Sequence, residues 1–452
     1  MPAALDQVFK AYDVRGVYPD QLDEELAERV GRAFVALTGA GTLAIGQDMR
    51  PSSKPMADAL AAGAMAQGAD VLRVGLCSTD MLYYVSGALD VAGVMLTASH
   101  NPARYNGLKL CRPGAVPVGE ESGLADIKRM VAAGEPATDA GRRGQERQAD
   151  DLLERYAAHV RSFVDLGSLR PLKVVADAGN GMAGHVVPAV FAGLPFELVS
   201  MYFELDGSFP NHPADPLNPA NLVELQARVV AEGADVGLAF DGDADRVFLV
   251  DEQGTTVPSS LVGALVARLM CEREPGATVL YNLICSRVVP ETIREAGGVP
   301  VRTRVGHSFI KAVMAETGAI FGCEHSGHYY FRDNYRADSG LIAALVALDA
   351  LSRAGRPLSE VLAPYRRYAA SGEINRRVDG DPRKVIEEVA GRYPPEAADF
   401  ADGLTVEGGD WWFNLRPSNT EPLLRLNVEA ATEAEMARVR DEVLEAVGGE
   451  PA

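Results

Sequence analysis

The chain has 452 residues, with 63 acidic against 43 basic side chains and a net charge of −20. That length allows three or four domains with sizeable cores, and the acidic excess argues against nucleic acid or an anionic membrane as a partner. Five scattered cysteines (Cys77, Cys111, Cys271, Cys285, Cys323) without a Cys-x-x-Cys pair argue against a disulfide framework or structural zinc. With no long apolar segment, the expectation is a cytoplasmic protein.

In chain order, Leu22, Leu26, Val30, Phe34 and Leu37 recur at helical spacing up to Gly39. Short apolar runs at 42–46 and 70–76 alternate with helical stretches, which is a β-α pattern. The apolar run 91–96 reads as a strand that delivers Thr97-Ala98-Ser99-His100-Asn101-Pro102 to a polar turn. Ser99 is thereby a candidate nucleophile, and a turn serine bonded to its own backbone is the competing reading. The polar stretch 133–149 reads as a surface connection, and the strand and turn at 172–181 open a second α/β unit. A third unit follows Asp251-Glu252-Gln253-Gly254, with helices expected at 260–271, 308–317 and 338–353 and a strand at 277–284. From about 370 the style changes. Strands are expected at 405–407, 411–415 and 424–428, before a helix opened by the capping box Thr432-x-x-Glu435.

These readings place the domains at 1–150, 151–252, 253–368 and 369–452. Residues 91–100, 234–245 and 318–328 echo one another, each running through a short strand into a polar loop. Three similar α/β units that each offer such a loop would create one shared central cleft, with the fourth unit closing it.

The loops differ in chemistry. Asp241-Gly242-Asp243-Ala244-Asp245-Arg246 packs three carboxylates into one turn, which is costly without a bridging cation, and a hard ion such as Mg2+ suits the donors. An EF-hand calcium loop shares the acidic spacing but needs glycine where Arg246 stands. Glu324-His325-Ser326-Gly327-His328 offers carboxylate, hydroxyl and imidazole groups suited to sugar hydroxyls, with zinc on His325 and His328 as the rival. Arg416-Pro417-Ser418-Asn419-Thr420-Glu421-Pro422, followed by Arg425, supplies guanidinium, hydroxyl and amide groups for a phosphate. Near the N-terminus Tyr12 and Arg15 stand three residues apart beside Gly16, and Lys109 follows Ser99 by ten residues, so that Arg15 and Lys109 are candidate cations for the serine site. Gly306-His307-Ser308 precedes a helix whose N–H groups suit an anion.

Taken together and in order, Tyr12-Asp13-x-Arg15-Gly16, Thr97–Pro102, Asp241–Arg246, Glu324–His328 and Arg416–Pro422 resemble the α-D-phosphohexomutase superfamily, nearest its bacterial phosphomannomutase/phosphoglucomutase branch. The resemblance covers the chain from end to end. It implies three related α/β domains with mixed sheets plus a C-terminal α+β domain, arranged around one central cleft. It implies a phosphoserine at Ser99, Mg2+ held by Asp241, Asp243, Asp245 and a Ser99 phosphoryl oxygen, and a hexose 1,6-bisphosphate as intermediate and activator. Arg15, Lys109 and Arg246 would neutralise the transferring group, with Lys109, His100 or His328 as proton acceptor. Tyr12, His307, Glu324, Ser326, Arg416, Ser418, Asn419, Thr420 and Arg425 would hold the hexose phosphate.

Glu324-His325-Ser326 and Ser418-Asn419-Thr420 stand where phosphoglucosamine mutases usually show Glu-Gln-Ser and Ser-Gly-Thr, which favours mannose and glucose phosphates. His325 and the Ile284-Cys285 pair depart from the dual-specificity bacterial pattern. The expected state is a monomer or weak homo-oligomer. A phosphoglucosamine mutase, a metal-dependent sugar-phosphate phosphohydrolase and a non-catalytic sugar-phosphate binding module are the alternatives.

Overall fold

The computed structural model describes residues 2–136, 139–418 and 423–451. Its first sheet contains β1 (Val14–Val17), β2 (Thr42–Gln47), β3 (Asp70–Leu76), β4 (Ala92–Leu96), β5 (Tyr105–Arg112), β6 (Val116–Pro117) and β7 (Glu146–Gln148). The order is β1-β5-β4-β2-β3-β7, with β6 on β5. The second sheet, β12-β11-β10-β8-β9, uses β8 (Leu172–Asp177), β9 (Phe196–Met201), β10 (Val236–Phe240), β11 (Val247–Asp251) and β12 (Thr256–Val257). The third, β14-β13-β15-β16, uses β13 (Thr278–Asn282), β14 (Val299–Thr303), β15 (Phe321–Cys323) and β16 (Tyr329–Phe331).

One topology repeats in all three. The sets β3-β2-β4-β5, β9-β8-β10-β11 and β14-β13-β15-β16 each place three parallel strands beside one antiparallel strand. Helices make the parallel crossovers: Ser53–Ala66 and Thr79–Leu89 in the first unit, Ala183–Phe191 and Val223–Glu232 in the second, Val288–Glu295 and His307–Thr317 in the third. The antiparallel strand follows the third parallel strand through a loop alone. That loop is 97–104 in the first unit, 241–246 in the second and 324–328 in the third, so the serine, aspartate and Glu-x-Ser-Gly-His motifs occupy equivalent positions. Strands β4 and β10 are buried along their whole length, as expected of central parallel strands covered on both faces.

The fourth sheet is antiparallel throughout, β18-β19-β20-β21-β17-β22, from β17 (Ala369–Arg377), β18 (Ala398–Asp399), β19 (Leu404–Glu407), β20 (Trp411–Pro417), β21 (Leu423–Ala430) and β22 (Glu450–Pro451). Helices Pro382–Ala390 and Glu433–Val447 pack on it around Phe413, Leu415, Leu426, Val439 and Val443. This is the expected α+β unit.

A single apolar cluster runs from Ala44 and Leu82 in the first unit through Val186 and Leu238 in the second to Leu341–Leu348 in the third. The fourth unit keeps its own core. It meets the rest through a small apolar contact of Trp412 with Leu283 and Ile284, through Arg287, which donates to the carbonyls of Gly408, Gly409 and Trp411, through Arg302, which pairs with Asp399 and Glu407, and through Val305 N–H, which donates to Asp402.

Two expectations change in detail. The polar stretch 133–149 is more than a connection, because β7 pairs in parallel with β3 through Val71↔Glu146. Its exposed side chains lack the apolar alternation that marks a buried strand, and backbone pairing alone makes this edge. At Thr432 only half of the capping box forms. The Thr432 hydroxyl accepts from Glu435 N at 3.2 Å, while the Glu435 carboxylate turns to Arg438. All five cysteines are unpaired and buried. Among the described residues no helix is long and apolar enough to cross a membrane.

Candidate active site

Ser99 leaves β4 in a left-handed backbone conformation, with φ at 51°, and is 5 % exposed. Its N–H donates to Thr97 Oγ1 at 2.9 Å, and its carbonyl accepts from Arg50 Nη2 at 2.9 Å. Arg50 is buried against Asp48 and also donates to the carbonyls of Asn101, Pro102 and Tyr105. One side chain thus ties down the whole loop. The Ser99 hydroxyl donates to Asp241 Oδ2 at 2.7 Å, across the junction between the first two units. Gly242 permits this approach, since a Cβ there would stand 2.4 Å from the Ser99 carbonyl oxygen.

The three aspartates are fully buried and have ligand atoms within 4.8 Å of one another. Lys109 Nζ lies 2.7 Å from Asp243 Oδ2 and 2.6 Å from Asp245 Oδ2, and Arg246 Nε donates to Asp241 Oδ2 at 2.9 Å. Thr79 also donates to Asp243 Oδ2, at 2.6 Å. Burial pushes the Asp241 carboxyl up to about 8 in spite of Arg246. Burial alone would raise Asp243 too, but the Lys109 ammonium outweighs it and holds the carboxyl far below the usual range. For Lys109, burial is likewise outweighed, here by Asp243 and Asp245, and the ammonium is held well above its ordinary value.

A metal fits these residues. Asp243 Oδ1 and Asp245 Oδ1 are buried with no hydrogen-bond partner among the described residues, and an all-carboxylate donor set suits a hard divalent cation. The calcium-loop alternative fails, because Val247–Asp251 is a strand directly after Arg246. The zinc alternative on His325 and His328 finds no support either. Among the described residues the two groups able to hold an ion are Asp241/Asp243/Asp245 and Asp245/His328/Asp338, and His325 is in neither.

His100 Nδ1 lies 2.6 Å from Arg246 Nη2 and 3.3 Å from Ser99 Oγ. Burial, then Arg246 and Arg15, push this imidazole well below its ordinary value. It is therefore neutral, with Nδ1 accepting from Arg246. Arg15 does not reach the serine hydroxyl. It pairs with Asp13 and donates to Asn101 Oδ1 at 2.5 Å and to the Ala98 carbonyl, bracing the loop from beneath.

The third unit's loop joins through His328, whose Nε2 is 3.6 Å from Asp245 Oδ1 and 3.9 Å from Asp338 Oδ2. Ser326 Oγ is 3.0 Å from His328 Nδ1. Glu324 is buried and fixed by the Tyr330 hydroxyl at 2.8 Å, Gly306 N at 3.0 Å and Asn282 Nδ2 at 3.3 Å. Tyr12, from the first unit, packs edge-on against Phe309 with ring centres 6.0 Å apart, within the field of Glu324 and Arg416. His307 opens the helix His307–Thr317, and its side chain lies outside what the structure describes.

In the fourth unit Arg416, Ser418 and Arg425 gather around a residue the sequence reading missed. Glu373 Oε2 accepts from Arg416 at 2.7 Å and Oε1 from Arg425 at 3.0 Å, while Arg425 also donates to Ser418 Oγ at 3.2 Å. Asn419 and Thr420 lie outside the described residues. Asp338, Thr79 and Arg50 were missed as well. Each sits in a segment without a motif of its own, and only folding gives it a partner.

Family models for phosphoglucomutase/phosphomannomutase match the chain along its length: alpha/beta/alpha domain I at residues 6–137, domain II at 154–254, domain III at 258–368 and the C-terminal domain at 373–446. The chain is 40 % identical over 436 residues to a protein of Xanthomonas campestris named for phosphohexose mutases, covering 96 % of this chain and 97 % of that one. It is 38 % identical over 446 residues to an Escherichia coli phosphomannomutase, with the same coverage. A solved structure of a phosphoglucomutase/phosphomannomutase family protein from Burkholderia thailandensis superposes with a TM-score of 0.88 at 33 % identity, over 98 % of this chain and 99 % of that one. With all four domains matched in order and a buried serine facing three aspartates across the first domain junction, the chain belongs to the phosphoglucomutase/phosphomannomutase family.

Proposed function

We propose that the enzyme interconverts hexose 6-phosphate and hexose 1-phosphate, of mannose and also of glucose, with Ser99 as the phosphoryl carrier. The 2.7 Å contact of Ser99 Oγ with Asp241 in a pocket rich in fixed cations carries this reading. Phosphoryl transfer depends on in-line placement and charge neutralisation, and Arg246 supplies permanent charge beside the serine while Lys109 supplies it beside Asp243 and Asp245. A divalent ion held by Asp241, Asp243 and Asp245, for which we propose Mg2+, supplies further neutralisation when bound.

The step we envisage breaks the bond from Ser99 Oγ to phosphorus as the free sugar hydroxyl forms its own bond to phosphorus. His328 takes the proton that this hydroxyl gives up. Lys109 remains an ammonium between two carboxylates, and His100 Nδ1 is committed to Arg246, so neither offers the lone pair. The Ser99 oxygen leaves with the bonding pair and takes a proton from water. The resulting 1,6-bisphosphate turns over and gives its other phosphoryl group to Ser99 Oγ, which releases that proton again, while His328 returns its proton to the sugar oxygen set free. Glu324 and Ser326 hold the sugar hydroxyls in either orientation. Arg416, Ser418, Asn419, Thr420 and Arg425 hold the phosphate that is not reacting. A phosphohydrolase has no use for such a second clamp.

Intact mass spectrometry with glucose 1,6-bisphosphate tests the carrier. One phosphoryl group should appear on the wild type and none on Ser99→Ala, whose mutase rate should fall at least ~10³-fold. Steady release of inorganic phosphate from mannose 1-phosphate without 6-phosphate product would overturn the reading.

A further inference from the structure

Strands β20 and β21 place Arg416 directly opposite Arg425. Like charges facing each other across a ladder are destabilising without a counter-ion. The counter-ion comes from β17, and a backbone irregularity aims it. The β17–β21 register slips between Ala370 and Glu373, where Gly372 has φ at 68°. Such a bulge re-aims the side chain that follows, and the Glu373 carboxylate here bridges both guanidinium groups. The Nε donors of Arg416 and Arg425 nevertheless remain buried without a hydrogen-bond partner among the described residues. The clamp therefore holds one anion of its own and retains unused donors.

We propose that Glu373 is a built-in competitor for the sugar phosphate, weakening the grip of Arg416 and Arg425 so that the bisphosphate can let go and present its other end. This rests on the assignment of these arginines to the non-reacting phosphate. Two guanidinium groups facing a dianion with no internal carboxylate would bind both ends of every intermediate tightly. Binding that is uniform along the reaction lowers KM without raising kcat, and here it also slows the turn. Glu373 leaves a net single positive charge in the clamp. Glu373 is thus a positioning residue, acting on substrate through the two arginines.

The test is Glu373→Gln in the full-length enzyme, assayed with mannose 1-phosphate, with Glu373→Asp as the variant that keeps the charge. The glutamine variant should lower both KM and kcat about threefold to tenfold, the size expected of one partly exposed charge. The aspartate variant should return both towards wild type. In a Ser99→Ala background, where no transfer occurs, Glu373→Gln should tighten inorganic phosphate binding by a similar factor in calorimetry. A raised or unchanged KM, or weaker phosphate binding, overturns the proposal, as does loss of the folded fourth unit in both variants. Failure of the assignment itself reads differently: Arg425→Ala would then leave KM for mannose 1-phosphate unchanged, while the calorimetric comparison still reports on the carboxylate.

Discussion

Arg50 shows how much one buried side chain can decide at the serine loop. Ser99 sits in left-handed backbone, which costs an L-residue about 1–2 kcal/mol and persists only where its surroundings enforce it. Arg50 enforces it by donating to three loop carbonyls and to that of Tyr105 at the start of β5, while Asp48 balances its charge. Arg50→Ala leaves Asp48 buried and unpaired, a loss of about 3–5 kcal/mol in urea unfolding, and frees the serine from its set position. Mutase kcat in that variant should fall by at least ~10²-fold, because near-attack geometry is lost along with stability. A variant as active and as stable as wild type would remove Arg50 from this role.

Between elements, the first turn of the helix Thr79–Leu89 is tied to two other helices by Asp80. This buried carboxyl accepts from the Tyr156 hydroxyl in Leu152–Arg161 and from Ser339 Oγ at the start of Gly340–Ala354, both at 2.6 Å, and from Ser78. Burial pushes it up to about 7. A carboxyl raised in the fold favours folding fully below its unfolded value near 3.8, and that contribution is lost as pH rises through about 7. Asp80→Asn cannot ionise. The Tm difference, variant minus wild type, should therefore grow between pH 5 and 8, and a flat difference across that range would show that Asp80 does not titrate there. Thr79, the neighbouring residue, donates to Asp243. The same segment thus joins three units and braces the metal loop.

At the scale of the molecule, one apolar cluster runs through the first three units, beside a second cluster within the first, while the core of the fourth is separate and its apolar contact with the rest is confined to Trp412, Leu283 and Ile284. Arg287 is a buttress of the polar contact, with three carbonyls taken by its guanidinium and its N–H donating to Glu429 at 2.9 Å, beside the ion pairs of Arg302 with Asp399 and Glu407. Small interfaces of this kind permit relative domain motion. Arg287→Ala should loosen the fourth unit over the cleft, raising KM for mannose 1-phosphate about tenfold with a smaller effect on kcat. Hydrogen exchange should quicken at residues 408–412 and leave the core of the first three units unchanged. Faster exchange in that core would show instead that the tie is part of the main fold.

The local signals of the motif-bearing strands and loops were legible in the sequence. Apolar runs marked β4 and β10, turn residues marked the loops after them, and the family motifs sit in those loops, because strand and turn preferences depend on near neighbours. The edge strand β7 escaped, since its side chains are exposed and only its backbone pairs. What the tertiary structure alone decided was which charges meet. Lys109 finds Asp243 and Asp245 more than a hundred residues away, His100 becomes an acceptor for Arg246, and a bulge no alternation pattern reveals turns Glu373 onto two arginines. Composition and periodicity record how each segment buries itself. Electrostatic partnership depends on distances that exist only after three repeats of one topology have brought their equivalent loops into a single cleft.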